Sequence, residues 1–328
     1  MNARLFALAS LVLVAASCSS TVVYVPRTSP AEINLASYKR LAVGGIAGPG
    51  ADKLVDDVTQ ALVQTQAFEV LDRKHLSAIV KEQDFAISGR VSDDTAVSIG
   101  QMIGSAALLV GDVSAYDYKE GVTSKRSECT KDGKKRPCTQ YTRTGSAHVT
   151  VAFKVLDTET GKVLAAKTLE GRMQRSADLT DQQPPAFDKR DEWLAGCRRQ
   201  VVTDFMKVIA PYQVSVGVEL LDDGDLPELE VGNNYAKLGK WPDAIAQYRA
   251  AIARADKNPD VKPKIRAKAL YDLGVGLAYS GKYDDGVAEL ERAYSLEPSD
   301  SFIGQINRVK QFKADDQKLA EQRASAGR

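Results

Sequence analysis

The sequence predicts an α/β (α+β) domain with a mixed sheet flanked by helices, followed by an all-α domain of helical repeats. Three patterns carry that prediction. Val149, Val151, Phe153 and Val155 alternate with His148, Thr150, Ala152 and Lys154, the period of a half-buried strand. Leu54, Val58 and Leu62 recur at helical spacing, with Val55 and Ala61 beside them, just before the alternating FEVLDR of residues 68–73. Two stretches beginning at Gly232 and Gly274 repeat one series of positions. Strands and helices interleave up to about residue 220, and helices alone follow.

Composition bounds the chemistry. The 328 residues leave room for two domains with sizeable cores, and 44% hydrophobic with 27% charged residues describe a globular chain rather than a disordered one. Arg4 is the only charged side chain among the first seventeen residues, and beyond them 43 basic side chains face 43 acidic ones. Bulk charge therefore supplies no ground for a nucleic-acid partner.

The N-terminus, MNARLFALASLVLVAASCSS, reads as a signal peptide over residues 1–17: one Arg, an apolar run from Leu5 to Ala16, then small residues. The run is too short for a stable membrane-spanning helix. Ala15, Ala16 and Ser17 before Cys18 resemble a bacterial lipobox, with Ala15 where the pattern prefers Leu. The resemblance implies cleavage before Cys18 and acylation of its thiol, palmitate included. Each buried methylene would contribute about 0.8 kcal/mol to anchoring. Ser19, where an Asp would mark inner-membrane retention, implies the periplasmic face of the outer membrane. An incidental thiol in an ordinary signal peptide is the competing reading. The lipid on Cys18 is the one cofactor expected, and residues 18–37 read as a linker.

RLAVGGIAGPGADKLVDDVTQAL, residues 40–62, has the look of a phosphate loop and fails its spacing. Gly45 and Gly50 fit, but Ala51 and Asp52 stand where the loop needs Lys and Ser or Thr. The dinucleotide pattern fails at Lys53, which replaces its third glycine. A strand-to-helix turn remains, with Asp52 near the positive end of the helix dipole. KHLSAIVKEQ supplies Leu76, Ile79 and Val80 for a second short helix. A Ser/Asp cap near residues 92–94 precedes Ala96, Ile99 and Ile103, and a strand is expected from about Ala106 to Tyr116.

Cys129 and Cys138 flank TKDGKKRP, whose Asp132 and Gly133 are turn residues, so a hairpin would bring the thiols together as a disulfide in an oxidising compartment. A metal clip is disfavoured because the two histidines, His75 and His148, are remote in sequence. The surrounding insertion, residues 117–145, is basic: from Lys119 to Arg143 it holds eight basic and three acidic residues. Lys125, Arg126, Lys134, Lys135 and Arg136 are its candidate partner contacts, to protein, headgroups or an acidic glycan, against the plainer reading of a solvated loop. DTETGK then turns the chain, Gly161 taking the left-handed position, into a partner strand from Val163 to Leu169. Trp193, Cys197, Val201, Phe205, Val208 and Ile209 form one helix stripe, which makes Cys197 a core residue rather than a nucleophile.

Phe68, Val70, Asp72, Arg73, Leu76, Lys81, Glu82 and Gln83 follow an F-x-V-x-[DE]-R…L…KEQ pattern. With RLAVGGIAG, SGRVSDDTAVSIGQMIGSAALLVGDV and VTVAFKVLDTETGKVLAAKTLEG, these residues resemble the CsgG family of curli-secretion lipoproteins over roughly residues 38–211. The resemblance implies a non-enzymatic α/β sandwich, here assigned to residues 38–220. Channel members of the family carry two hairpins per subunit that build a shared transmembrane barrel, whose strands need about nine to eleven residues alternating apolar outward. The 117–145 hairpin offers no apolar face. The second candidate, RMQRSADLTDQQPPAFDKRD, has two adjacent prolines and is expected to lack alternation.

Beyond residue 220 the chain changes in kind. GNNYAKLGKWPDAIAQYRAAI and GVGLAYSGKYDDGVAELERAY align Gly232 with Gly274, Tyr235 with Leu277, Gly239 with Gly281 and Trp241 with Tyr283. They further align Ala244 with Gly286, Tyr248 with Leu290 and Ala251 with Ala293, and Pro298 closes the second copy. The pattern resembles the tetratricopeptide repeat, in which small residues let helices cross closely. Two such repeats are assigned to residues 225–300, and 301–328 to a capping helix and polar tail, with Ile303, Ile306, Val309, Phe312 and Leu319 as its stripe. Repeats of this kind usually hold a peptide in a concave groove; packing on the first domain or another subunit is the alternative.

No catalytic constellation emerges. Neither histidine has a nucleophile in a recognisable setting, and Asp56 with Asp57 or Asp222 with Asp223 are expected to be solvated. The sequence thus points to a non-enzymatic outer-membrane lipoprotein that scaffolds envelope or surface-structure assembly by binding envelope proteins. The alternatives are a ring-forming subunit of a curli-like channel and an activator lipoprotein of a peptidoglycan synthase.

Overall fold

The computed structural model describes residues 20–71 and 106–326. Expectations for Cys18, His75, the KHLSAIVKEQ helix with Lys81, Glu82 and Gln83, and the capped segment after residue 92 lie outside the described residues. In chain order the elements begin with β1 (Ser20–Ser29), β2 (Arg40–Ala47), α1 (Ala51–Thr65), β3 (Glu69–Leu71), β4 (Ala107–Lys131), β5 (Lys134–Asp157) and β6 (Val163–Thr180). They continue with α2 (Arg190–Ile209), β7 (Tyr212–Leu221), α3 (Glu228–Lys237), α4 (Trp241–Lys257), α5 (Pro263–Tyr279), α6 (Tyr283–Leu296) and α7 (Asp300–Ala326). Two compact units result among the described residues: 30–71 and 106–212 with 319–326, and 20–29 with 213–318.

The first unit is built on a mixed sheet in the order β3-β2-β4-β5-β6. β2 runs parallel to β3 and β4, whereas β4, β5 and β6 form an antiparallel meander. β2 is buried from Leu41 to Ile46, as its nearly continuous apolar run requires of a central parallel strand. Gly48 and Gly50 then take positive φ of 98° and 73°, and a Cβ on Gly48 would stand 2.5 Å from the Val113 carbonyl oxygen. The glycine-rich turn therefore serves close packing of the chain on itself. Leu54, Val58 and Leu62 of α1 join Val149, Val151, Phe153 and Val155 of β5 and the α2 stripe in one core. Phe153 stacks on Phe205 with ring centroids 4.3 Å apart. Full burial of side chains of this size contributes about 1.5–3 kcal/mol each.

Cys197 is fully buried within that core, and burial pushes its thiol pKa up, which leaves it unreactive. Asp57 is not simply solvated. Its carboxylate accepts from Arg198 Nε at 2.7 Å, and Arg198 Nη1 donates to the Tyr116 hydroxyl at 2.8 Å, so one guanidinium ties α1 and α2 to β4. The end of α7 is more than a polar tail: Leu319 and Gln322 are buried, and the Gln322 amide exchanges two hydrogen bonds with the backbone of Ala31, at 3.2 and 2.9 Å.

The second unit corrects two boundaries. Within the expected 18–37 linker, Ser20–Ser29 is a strand, and it pairs with β7, which the sequence placed in the α/β domain. Val23, Val218 and Leu220 seal the bottom of the helical core together with residues from α3 to α7. Five helices follow the sheet, and α7 places Phe302, Ile306, Val309 and Phe312 inward. Ile303, expected in that stripe, is 40% exposed, because the helix phase puts its neighbour Phe302 against Tyr271 at 4.7 Å.

A buried polar network joins strand to helices. Asp272 is fully buried and accepts from the Leu221 amide at 3.0 Å; Asp222 accepts from Asn233 at 2.5 Å, and Asp223 from Lys268 at 2.9 Å. Asp222 and Asp223 are thus structural rather than free in solvent. Burial raises the Asp272 carboxyl well above its ordinary range, against the opposing Leu221 amide. A raised folded-state pKa means that its contribution is fully present below the unfolded value of about 4 and is lost as pH climbs through the folded value. Urea unfolding of this unit is expected to show stability falling as pH rises above about 4 in wild type, and a flatter profile in Asp272→Asn. Identical slopes for the two proteins would refute the assignment.

Candidate functional site

Strands β4 and β5 continue far beyond the sheet that carries them. β2 leaves β4 at Asp112, and β6 leaves β5 at Gln140, while β4 and β5 stay paired to Lys131 and Lys134. Among the described residues, β4 has an open edge from Val113 onward, a ribbon about 60 Å long at about 3.3 Å per residue. Asp132 and Gly133 close it with φ of 54° and 74°, the two left-handed residues of a tight hairpin turn. Cys129 and Cys138 lie diagonally across the strands with Cα atoms 5.8 Å apart and form the disulfide. Reduction is expected to expose the tip to trypsin at Lys131–Arg136 while leaving the melting of the α/β core unchanged. A shift of the main transition by more than about 4 °C, the equivalent of about 1 kcal/mol, would contradict a purely local role.

Alternation divides the ribbon into two faces. One carries Tyr118, Glu120, Val122 and Arg126 opposite Ala147, Gly145, Arg143 and Thr139. The segment between β6 and α2 runs back over this face. Asp181 accepts from Thr139 N at 2.8 Å and Arg136 at 2.6 Å, and the Pro184 carbonyl accepts from Arg143 Nε at 2.8 Å. Glu120 receives Tyr118, Arg143 and the Phe187 amide; the Tyr118 hydroxyl first, then the amide, holds its carboxyl below the usual range. A Cβ on Gly145 would stand 2.8 Å from Phe187 and Trp193, so only glycine leaves room for this strap. The opposite face is polar throughout, with Thr123, Thr142, Thr144, Ser146 and His148 beside Gln174, Ser176 and Asp178. His148 lies there, 2.9 Å from Thr150 and 3.9 Å from Glu170.

One expectation changes here. The partner strand expected to end at Leu169 continues through RMQRSADLT to Thr180, paired residue for residue with β5; Met173, Ala177 and Leu179 do alternate with Gln174, Ser176 and Asp178, and the prolines fall in the returning strap. The five candidate basic contacts divide between the two faces of the ribbon. Lys125, Lys134 and Arg136 share one face, Arg126 and Lys135 the other; Asp181 holds Arg136, and Glu128 lies 3.7 Å from Lys135.

In the helical unit the aligned positions occupy matching contacts. A Cβ on Gly232 would stand 2.4 Å from the Tyr248 ring, and one on Gly274 would stand 2.7 Å from Leu290. Gly239 and Gly281 take φ of 71° and 81° at equivalent turns. Trp241 stacks on Tyr279 at 5.2 Å, whereas its counterpart Tyr283 accepts from Arg27 at 3.1 Å and donates to Asp316. Ala244, Ala251 and Ala293 are fully buried, Leu277 nearly so and Tyr235 partly, while Pro298 is exposed between α6 and α7. Tyr248 donates to Asn233 Oδ1 at 2.9 Å, and Asn233 donates to the Leu221 carbonyl at 3.2 Å. This network escaped the sequence because the hydroxyl and amide partners are set by packing. Among the described residues no cluster of His, Cys, Asp and Glu is arranged to hold a metal, and no helix is long and apolar enough to cross a membrane.

Residues 31–180 match the family model of the curli production assembly/transport component CsgG. The match runs from before β2 to the end of β6 and stops short of α2 and of the helical unit. A curated relative, the human intraflagellar transport protein 88 homolog, is 27% identical over 95 residues, 29% of this chain. The chain spans 11% of that relative's length. Two solved lipoproteins are also similar. GNA1162 from Neisseria meningitidis aligns at 13% identity and a TM-score of 0.28, over 41% of this chain and 83% of its own. A minor lipoprotein from Acinetobacter baumannii aligns at 14% and 0.23, over 51% and 86%.

Proposed function

We propose that this chain is a non-enzymatic lipoprotein, anchored through Cys18 on the periplasmic face of the outer membrane, that scaffolds the assembly or transport of envelope structures. The match of residues 31–180 to a curli assembly and transport family carries the reading. The lipobox-like Ala15–Cys18 and the disulfide of an oxidising compartment support it. The paired helices α3 with α4 and α5 with α6 act as tetratricopeptide-like units and supply the protein-binding part. Partners are envelope proteins, and no nucleic acid is involved.

The ring-forming channel is the second reading, favoured by one observation: the open edge of β4 from Val113 to Lys131 is long enough to pair with another copy. Against it stand one ribbon face that is polar throughout and a second that carries Glu120, Arg126 and Arg143 and is covered by the strap of residues 181–189. Native mass spectrometry of lipidated protein extracted in mild detergent separates the two. A monomer or dimer is the expected result. A closed ring of many subunits would overturn the scaffold reading and direct the next test to conductance.

A further inference from the structure

We propose that the outward face of the β1/β7 sheet lies flat on the phospholipid bilayer, with Val22 and Tyr24 seated at the level of the headgroups. The inference rests on the reading of Cys18 as the acylated residue. β1 begins at Ser20, two residues after Cys18. A chain extends at most about 3.6 Å per residue, so the lipidated residue and the first paired strand residue lie within about 7 Å of each other. The linker expected over residues 18–37 would have let the fold stand away from the membrane. The strand in its place removes that freedom.

The side chains that the strand turns outward fit such a surface. Val23 is buried in the helical core and Val25 packs against it, while Tyr24 is 71% and Val22 54% exposed. Gly217 of β7 forms the floor beneath them: a Cβ there would meet the Tyr24 ring at 3.4 Å and Val22 at 3.7 Å. The other outward residues are Ser20, Pro26, Gln213 and Ser215, and Glu219 is the sole charge among them. The face is thus flat, nearly neutral and apolar at its centre. Tyrosine, with an apolar ring and a hydroxyl that prefers water, is enriched where membrane meets water.

Geometry also chooses between an upright and a lying strand. Standing upright, β1 would hold Tyr24 about 20 Å from the acylated residue, in water. Lying flat, the same strand covers both exposed side chains, and the tether makes that contact intramolecular and hence favoured even when each residue contributes little. Because the face is nearly neutral, the contact is expected to resist salt, unlike binding through a basic patch.

The test uses the lipidated full-length protein carrying Tyr24→Trp, with its acylated mass verified, in vesicles of phosphatidylethanolamine and phosphatidylglycerol with or without brominated acyl chains. Trp193 and Trp241 are buried, 5% and 8% exposed, and wild type measures their background. The added tryptophan is expected to lose about half or more of its emission to the brominated chains, at low and high salt alike, and to be shielded from acrylamide. Val22→Trp provides a second probe with the same expectation. Acylated, vesicle-bound protein whose new tryptophan is quenched by acrylamide and untouched by bromine would overturn the proposal and leave lipidation standing. Shielding from both quenchers would also overturn it, showing a second copy or another protein on this face. A mass without acyl chains would overturn the anchor, and this proposal with it.

Discussion

Gly171→Ala is expected to destabilise the α/β unit by about 3 kcal/mol, the upper part of the range for overpacking. Strand β6 and helix α2 touch here through their backbones. An added Cβ would stand 2.0 Å from the Cys197 carbonyl oxygen and 2.7 Å from its carbon. Backbone atoms cannot rotate away, so α2 must shift as a whole and loosen Phe153 from Phe205. For a unit of this size the loss corresponds to a melting decrease of about 6–12 °C, measured by circular dichroism or by hydrogen exchange in α2. Gly196→Ala is the control. Its Cβ would meet the Met173 sulfur at 2.4 Å, the flexible end of a side chain, and alanine improves helix propensity by about 1 kcal/mol. A near-neutral Gly196→Ala beside a costly Gly171→Ala would establish the backbone contact; equal effects would refute it.

Tyr248→Ala is expected to cost the helical unit about 3–5 kcal/mol for the large-to-small change in a full core. Leaving Asn233 without its partner adds about 1–3 kcal/mol. The ring is fully buried between positions where helices approach closely, with Gly232 on one side and Gly276 on the other. Tyr248→Phe keeps the ring and removes only the hydroxyl, so its cost is expected to be that second contribution alone, about 1–3 kcal/mol. Urea unfolding followed by Trp241 emission reads both variants. Should Tyr248→Phe prove as damaging as Tyr248→Ala, the hydrogen bond and not the packing would hold α3 to α4. Leu290→Ala tests the matching position, with about 2–5 kcal/mol expected, because Leu290 fills the space over Gly274 as Tyr248 does over Gly232.

The features legible in the sequence are those whose causes lie within a few residues. Val149 to Val155 alternate because a strand has period two, and they are buried as expected. Asp132, Gly133 and Gly161 take positive φ because their local turns demand it. The α2 stripe and the placement of Cys197 follow from helical period alone. The glycine-to-large-residue pairing of the repeats was legible because the pattern occurs twice. Ile303 marks the limit: a pattern with Phe302 and Ile303 adjacent does not fix helix phase, and the aromatic partner Tyr271 decides it.

Residue order alone thus determined the types of element, the turns, the disulfide partners and the absence of a phosphate loop. Tertiary structure decided what depends on segments meeting across long stretches of chain. STVVYVPRTS became a strand because β7 was there to pair with it, and Ala31 met Gln322 only after the chain had returned. The same holds for the ribbon. Beyond Leu169 the period of β6 is thin, since Gly171 and charged Arg175 stand among Met173, Ala177 and Leu179, and its order comes from backbone bonds to β5. Local propensity acts over a few residues, whereas strand pairing and burial reward contacts whose closing cost depends on the whole loop between them.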